Sequence, residues 1–233
     1  MNGVSSAPAD LNEASVDLLF NTPAKEIRVV HEVSTDPLYN LSVEEATFQS
    51  LEEGRLGNTL RFWVNDMCLV RGRARTPKYG WYREEEAKRL AVPVYERSTG
   101  GGVVYHDHGN LNWSFFIRVP GKLLSPERVF KDGSAFVVEA LRRNSIDAYF
   151  ASPNRIEVAG YKISGMAARS TIHTLLVHGT LLLDSNLEML NMLCIPPQGC
   201  PPVQNIINWR NLQVAEIIDS VKAVLEDKGY KIM

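Results

Sequence analysis

Arg97-Ser98-Thr99-Gly100-Gly101-Gly102-Val103-Val104-Tyr105-His106-Asp107-His108-Gly109-Asn110-Leu111-Asn112 is the stretch on which the reading of this chain turns. Three consecutive glycines leave a bare backbone, so a ligand can lie directly against N–H and C=O groups. Arg97 stands just before them, and Tyr105, His106 and Asp107 just after. Upstream, Val92 to Glu96 reads as a strand running into the loop; downstream, the apolar run Trp113 to Ile117 reads as another. An isolated glycine triplet is a tight turn. Flanked by an arginine and a Tyr-His-Asp triplet, it suits a bound acyl or phosphate group.

Outward from the loop, the pattern predicts a strand at Ile27 to Val33 and a helix at Asn40 to Glu53, with Leu41, Val43, Ala46, Phe48 and Leu51 on its apolar face and Gly54 at its end. Thr59 to Val64 and Cys68 to Arg71 read as a hairpin around Asn65-Asp66. Arg83 to Leu90 reads as a short charged helix. Ser125-Pro126-Glu127 starts a helix reaching Arg143, with serine as cap and proline at the first helical position. Tyr149, Arg155 to Val158, Lys162 to Ala168 and Thr174 to Leu183 read as strands of a second sheet region. A short helix at Leu187 to Leu193, an extended proline-rich loop from Pro196 to Pro202 and a closing helix at Leu212 to Lys228 complete the chain. Clustered strands with irregularly inserted helices predict an α+β fold, mixed β-sheets with packed helices, rather than alternating βαβ units.

Composition narrows the function. The chain has 233 residues and 45% hydrophobic residues, enough for a packed core in one domain. Its 25 basic and 27 acidic residues leave a net charge of -2. That gives no footprint for nucleic acid or for an anionic membrane, and no apolar run approaches bilayer length. Met1 to about Lys25 reads as a flexible leader without the basic start of a secretory or mitochondrial signal, so the expected location is cytoplasmic. Residues 26–233 are expected to form a single catalytic domain. The three cysteines, Cys68, Cys194 and Cys200, lack metal-type spacing and read as reduced thiols; no metal ligands are assigned.

Two further segments sharpen the picture. Gly160-Tyr161-Lys162-Ile163-Ser164-Gly165-Met166-Ala167 sets one lysine among small and apolar neighbours, and His178-Gly179-Thr180-Leu181-Leu182-Leu183 is a strand opened by a polar turn. The ordered set Arg-x-x-Gly-Gly-Gly-x-x-Tyr-His-Asp-x-Gly-Asn-x-Asn, Gly-x-Lys-Ile-Ser-Gly and His-Gly-Thr-Leu-Leu resembles the lipoate–protein ligase family, from about Asn40 to Leu193. The resemblance implies the biotin/lipoate protein ligase type of catalytic domain. It also implies activation of lipoate by ATP to lipoyl-AMP, with Mg2+, followed by transfer of the lipoyl group to a lysine of a lipoyl-domain acceptor. Such an acceptor would be a 2-oxoacid dehydrogenase acyltransferase subunit or a glycine-cleavage H protein.

A fatty carboxylate is a poor acyl donor, and attaching AMP replaces its hydroxide by a better leaving group. The enzyme then needs a phosphate cradle, a cation at the anhydride and an apolar channel. Lys162 is the expected catalytic cation, on or just past a hairpin turn, although an anonymous lysine there is ordinarily a solvated surface charge. Arg97, Thr99, Gly100, Gly101, Gly102, Val103, Tyr105, His106, Asp107, Asn110, Gly165, Ala167, His178, Gly179 and Thr180 are the expected substrate- and adenylate-binding positions. For Asp107 and His106 the alternatives are a turn cap and sheet packing.

The sequence departs from the family's pattern at Glu96, Arg75 and Arg155, and at Cys200-Pro201-Pro202-Val203-Gln204-Asn205 in the adenylate lid. No C-terminal accessory domain is expected. The alternatives are therefore a lipoyl or octanoyl transferase using a preformed acyl donor, or a ligase needing a separate small accessory protein. A thioester route is disfavoured, because Tyr149 to Pro153 carries no cysteine.

Overall fold

The computed structural model describes residues 25–73, 81–119 and 125–233. The expected leader lies outside them except for Lys25, as does Arg75. The elements run β1 (Glu26–His31), α1 (Pro37–Glu52), β2 (Thr59–Trp63), β3 (Cys68–Arg71), β4 (Trp81–Tyr82), α2 (Glu84–Arg89), β5 (Val94–Glu96), β6 (Val103–His106) and β7 (Asn110–Arg118). They continue with α3 (Pro126–Arg143), β8 (Ala148–Ala151), β9 (Arg155–Val158), β10 (Tyr161–Ser170), β11 (Thr174–Leu182), α4 (Leu187–Leu193), β12 (Cys194–Ile195), α5 (Val214–Asp227) and β13 (Lys231–Ile232).

An eight-stranded sheet in the order β13-β1-β2-β7-β11-β10-β9-β8 dominates. β1 runs parallel to β2 and β13, and the remaining pairings in this sheet are antiparallel. Two small sheets, β5-β3-β6 and β12-β4, stand apart. The α+β class holds, with two corrections. Thr59 to Val64 and Cys68 to Arg71 do not form a hairpin. β2 pairs with β1 and β7, whereas β3 leaves for the small sheet with β5 and β6. Between them the buried Asn65 side chain hydrogen-bonds Asn40 of α1 and His106 of β6 rather than closing a two-residue turn. Nor do the later strands make a separate sheet region: β8 to β11 join β7 and β2 in one continuous ladder.

Strand alternation sets up the two faces. On β7, Leu111, Trp113, Phe115 and Ile117 enter the main core with Leu175, Val177 and Leu181 of β11. Phe136, Val137 and Leu141 of α3 and Ile217, Val221 and Leu225 of α5 cover that face. Full burial of each such side chain stabilises the fold by about 1.5–3 kcal/mol. The intervening residues Asn112, Ser114 and Phe116 face the other way, where Phe116 and Leu176 pack on Phe48 and Leu51 of α1.

α1 begins before its expected start because Asp36 caps it, accepting from the Tyr39 amide at 2.7 Å, with Pro37 at the first position. Its buried face is also not the expected one. Asn40, Glu44 and Thr47 are buried with Phe48 and Leu51, whereas Ala46 is exposed. Ser125 occupies the cap position of α3 without a side-chain capping hydrogen bond.

Candidate active site

Between the polar face of the large sheet and the β5-β3-β6 sheet lies a cavity of about 530 Å³. Of the expected positions, Arg97, Gly101, Gly102, Val103, Tyr105, His106, Lys162, Gly165, Ala167, His178, Gly179 and Thr180 line it. Thr99, Gly100, Asp107 and Asn110 do not. Thr99 is buried behind the wall, and Asn110 spends its amide on Asn112 at 3.0 Å. Asp107 turns to the outer side, where it accepts from the amides of Gly109 and Asn186 at 3.0 and 2.7 Å. It is therefore a turn and helix-start cap, the alternative named for it above.

Strand register fixes the cavity's dimensions. Trp63, Asn112, Thr180 and Gly165 form one row across β2, β7, β11 and β10: Trp63 faces Asn112, Asn112 faces Thr180, and the Gly165 amide donates to Thr180 Oγ1 at 3.3 Å. Adjacent strands lie ~4.8 Å apart, so Asn112 is about 10 Å from Gly165. Lys162 lies across Gly165, its Cε and Nζ each 3.2 Å from where a β-carbon would sit. The chain reverses at Ala159 and Gly160, both with positive φ, and a register shift between Lys162 and Ser164 follows.

The proline-rich segment is stitched to the lysine. The Lys162 amide donates to Pro202 O at 2.9 Å, and its carbonyl accepts from the Gln204 amide at 3.1 Å. Pro196 to Val203 thereby roof the cavity.

Arg97 has a different task from the one expected of it. Its Nε donates to Thr99 Oγ1 at 3.0 Å, Nη1 to Val70 O at 3.0 Å, and Nη2 to Gly100 O at 2.8 Å and Gly102 O at 3.0 Å. The guanidinium is thus spent on shaping the glycine loop rather than left for a phosphate. Burial lowers its pKa to about 10, against the pull of Glu44, so it remains charged at neutral pH. The loop is clamped from outside as well, since the Arg73 amide donates to Thr99 O and the Gly72 amide to Gly102 O.

Two buried chains of hydrogen bonds run through the walls. In the first, the Thr99 hydroxyl accepts from Arg97 and meets His178 Nε2 at 2.8 Å. His178 Nδ1 lies 2.8 Å from Glu44 Oε1, which also accepts from Ser114 Oγ at 2.6 Å, and Trp63 Nε1 donates to Ser114 at 3.0 Å. Nδ1 donates to the carboxylate, which can only accept, so the ring is held between Glu44 and Thr99. Burial alone would raise the Glu44 pKa; the contacts to His178 and Ser114 and the Arg61 charge outweigh it and hold the carboxyl below its ordinary value.

In the second chain Arg61 donates to Asn40 Oδ1, Asn40 Nδ2 to Asn65 Oδ1 at 3.0 Å, and Asn65 Nδ2 to His106 Nδ1 at 3.1 Å. Burial, with the charges of Arg97 and His178, lowers the His106 pKa to about 3 and keeps the ring neutral. Glu44, Trp63, Asn65 and Ser114 were not assigned to the site from the sequence, and Asn112 and Ser164 stood in its motifs without a role. The available signal was Asn40, Glu44 and Thr47 sharing a helical stripe with Phe48 and Leu51.

Electrostatically the cavity is one-sided: Arg97, Arg155 and Lys162 line it, and among the described residues no carboxylate does. Arg155 is steadied by Glu157 at 2.9 Å. Among the described residues no group of three or more His, Cys, Asp or Glu side chains is disposed to hold a metal ion. These residues therefore do not fit a protein-held Mg2+. Also among the described residues, no helix is long and apolar enough to cross a membrane.

Residues 36–226 match the lipoyl protein ligase A/B catalytic domain family. The chain is 32% identical over 169 residues to the lipoate-protein ligase A of Psychrobacter cryohalolentis, covering 71% of this chain and 46% of that protein. It is 33% identical over 153 residues to lipoate-protein ligase LplJ of Bacillus subtilis, covering 66% and 44%. The chain thus spans under half the length of these relatives. In fold it is similar to the bi-partite lipoate protein ligase of Thermoplasma acidophilum, described with its E2 lipoyl domain (TM-score 0.74, 20% identity, 89% of this chain and 87% of that one). It is equally similar to a lipoate-protein ligase A bound with ATP (TM-score 0.74, 21% identity, 90% and 89%). The glycine loop clamped by Arg97, the lysine across the cavity from it and the match over 36–226 agree: the chain belongs to the lipoyl protein ligase A/B catalytic domain family.

Proposed function

We propose that this protein is a lipoate–protein ligase. It joins lipoate to AMP at the expense of ATP, releasing pyrophosphate, and then passes the lipoyl group to the lysine amine of a lipoyl-domain acceptor, releasing AMP. The observation that carries the proposal is the cavity, which has one long wall of sheet, three cations, no carboxylate among the described residues, and Lys162 and the glycine loop both in its lining. Lys162 sits where the substrate carboxylate and the α-phosphate meet. Its ammonium offsets charge on phosphorus in the first step and polarises the acyl carbonyl in the second. Because Arg97 binds the loop's carbonyl oxygens, the loop offers its N–H groups to ligand oxygens. Arg155 adds fixed positive charge near Lys162. Mg2+ would arrive with the ATP phosphates, and no step here depends on protein ligands to it. Acceptors are a 2-oxoacid dehydrogenase acyltransferase subunit or a glycine-cleavage H protein, and the expected setting is the cytoplasm.

A second reading draws on the bi-partite relative: activation requires a separate accessory protein, and this chain alone transfers from preformed lipoyl-AMP. The test mixes purified protein, lipoate, MgATP and a lipoyl domain and weighs the acceptor by mass spectrometry. Lipoyl addition supports autonomous ligation. Addition only from synthetic lipoyl-AMP supports the second reading, and addition from neither source refutes both.

A further inference from the structure

Arg155 lies in the cavity wall with its guanidinium half engaged. Its Nε donates to Glu157 Oε1 at 2.9 Å, and among the described residues neither Nη1 nor Nη2 meets an acceptor. The side chain is 23% exposed, so a ligand in the cavity can reach those two nitrogens.

The backbone beneath Arg155 is fixed from both sides. Asn154 Nδ2 donates to Met166 O at 2.6 Å, and the Met166 amide donates back to Asn154 O at 3.0 Å. Arg155 stands opposite Gly165 in the β9–β10 register. Facing residues of an antiparallel pair send their side chains to one face, with β-carbons about 5 Å apart. Gly165 has no side chain, and Lys162 Nζ occupies that space, 3.2 Å from where a β-carbon would sit. Arg155 and the Lys162 ammonium therefore share one patch of the wall. Glu157 stands opposite Lys162 in the register, yet its carboxylate takes Arg155 Nε and, at 3.1 Å, the Tyr149 hydroxyl. It is 8% exposed and lies outside the cavity lining. One buried carboxylate thus aims the guanidinium and leaves its outer edge, like the lysine, for an anion.

We infer that this free edge of Arg155 binds the α-phosphate of the acyl adenylate and offsets the charge that phosphate gains as AMP leaves, so that acyl transfer needs no divalent cation. This rests on the ligase reading above. In transfer, the acceptor amine nitrogen bonds to the acyl carbon and the bond from that carbon to the phosphate oxygen breaks. AMP departs with the electron pair, and the amine gives its proton to solvent. Lys162 polarises the carbonyl, while Arg155 steadies the leaving phosphate. A carboxylate in the wall would need a metal ion between itself and a phosphate, whereas a guanidinium bonds phosphate directly through paired N–H groups. The donor set of the cavity, cationic and without a cluster disposed to hold a metal among the described residues, is the one that metal-free transfer requires.

The experiment follows transfer from synthetic lipoyl-AMP to a lipoyl domain by mass spectrometry, in excess EDTA and in Mg2+. It also measures the Kd of lipoyl-AMP in EDTA by calorimetry, for wild type, Arg155→Gln and Arg155→Lys. Wild-type transfer is expected to agree within about twofold in the two buffers. In EDTA, Arg155→Gln should raise the Kd and the transfer KM about tenfold or more, and Arg155→Lys, which keeps the charge but not the fork, should recover part of that loss. Urea denaturation midpoints show which variants are folded, and the wild-type comparison of the two buffers decides the metal question by itself. Wild-type transfer that depends on Mg2+, or a Kd unchanged in the folded variants, overturns the inference while leaving the ligase reading intact. A wild type that neither binds lipoyl-AMP nor transfers from it sinks the ligase reading itself.

Discussion

In the proposed mechanism a single lysine carries the chemistry, and a missing methyl group makes room for it. Lys162 lies across Gly165 with Cε and Nζ 3.2 Å from the position of a β-carbon. Lys162→Ala is expected to abolish acyl-adenylate formation, followed by pyrophosphate release, with the denaturation midpoint unchanged, because the side chain is half-buried and lines the cavity. Retained turnover would remove Lys162 from the mechanism. Gly165→Ala displaces a flexible side chain by a few tenths of an ångström. It should lower turnover about tenfold with little change in stability. Gly179→Ala is the instructive contrast. Its β-carbon would lie 2.7 and 2.8 Å from ring atoms of Trp113, which is fully buried. Overpacking there should cost about 1–3 kcal/mol in urea denaturation. The two glycines share a cavity wall, yet one serves the site and the other the core.

Among the elements, the glycine loop is shaped chiefly from behind. Arg97 hydrogen-bonds Thr99 and three backbone carbonyls at once, which a lysine cannot do. Arg97→Lys should therefore destabilise the protein by about 2–3 kcal/mol and weaken nucleotide binding, measured by urea titration and by the KM for ATP. Equal stability would show that the loop holds its shape unaided. Cys194 of β12 and Cys200 of the roof segment both line the cavity. Burial pushes the Cys194 thiol up to about 12, so it is no nucleophile near neutral pH. Cys194→Ala and Cys200→Ala should each keep acyl transfer to the acceptor domain. Loss of transfer with retained adenylate formation, together with a thioester on the wild-type protein, would instead point to a thiol intermediate.

Across the whole molecule, α1 and the large sheet are joined by buried polar chains as well as by Phe48, Leu51, Phe116 and Leu176. This makes the fold acid-sensitive in a defined window. His106 titrates near 3 when folded and near 6.5 otherwise, so the unfolded chain binds the extra proton. Stability contributed by the neutral ring is present above pH 6.5 and is lost progressively as pH falls toward 3. Between pH 6.5 and 5 the expected loss is about 2 kcal/mol, and His106→Gln should flatten that slope in denaturant titrations. Glu44 acts lower. Its folded pKa lies below 4.5, so its contribution holds above that pH and disappears beneath it.

Much of this was legible without coordinates, and the reason is locality. Glycine runs, Ser-Pro starts and apolar alternation act on neighbours in the chain, so the loop, α3, β7, β11, α4 and the lysine hairpin could be read from the residues. The family resemblance rested on the same local motifs. What tertiary structure alone decided was long-range. It sent β3 away from β2 into a second sheet, and it turned Arg97 inward to hold the loop. It laid Pro202 and Gln204 along Lys162. It also buried Glu44 against His178, 134 residues away in the chain. A polar residue on a helix reads as solvent-facing until its partner is known, and buried polar groups are settled by partners that no local pattern names.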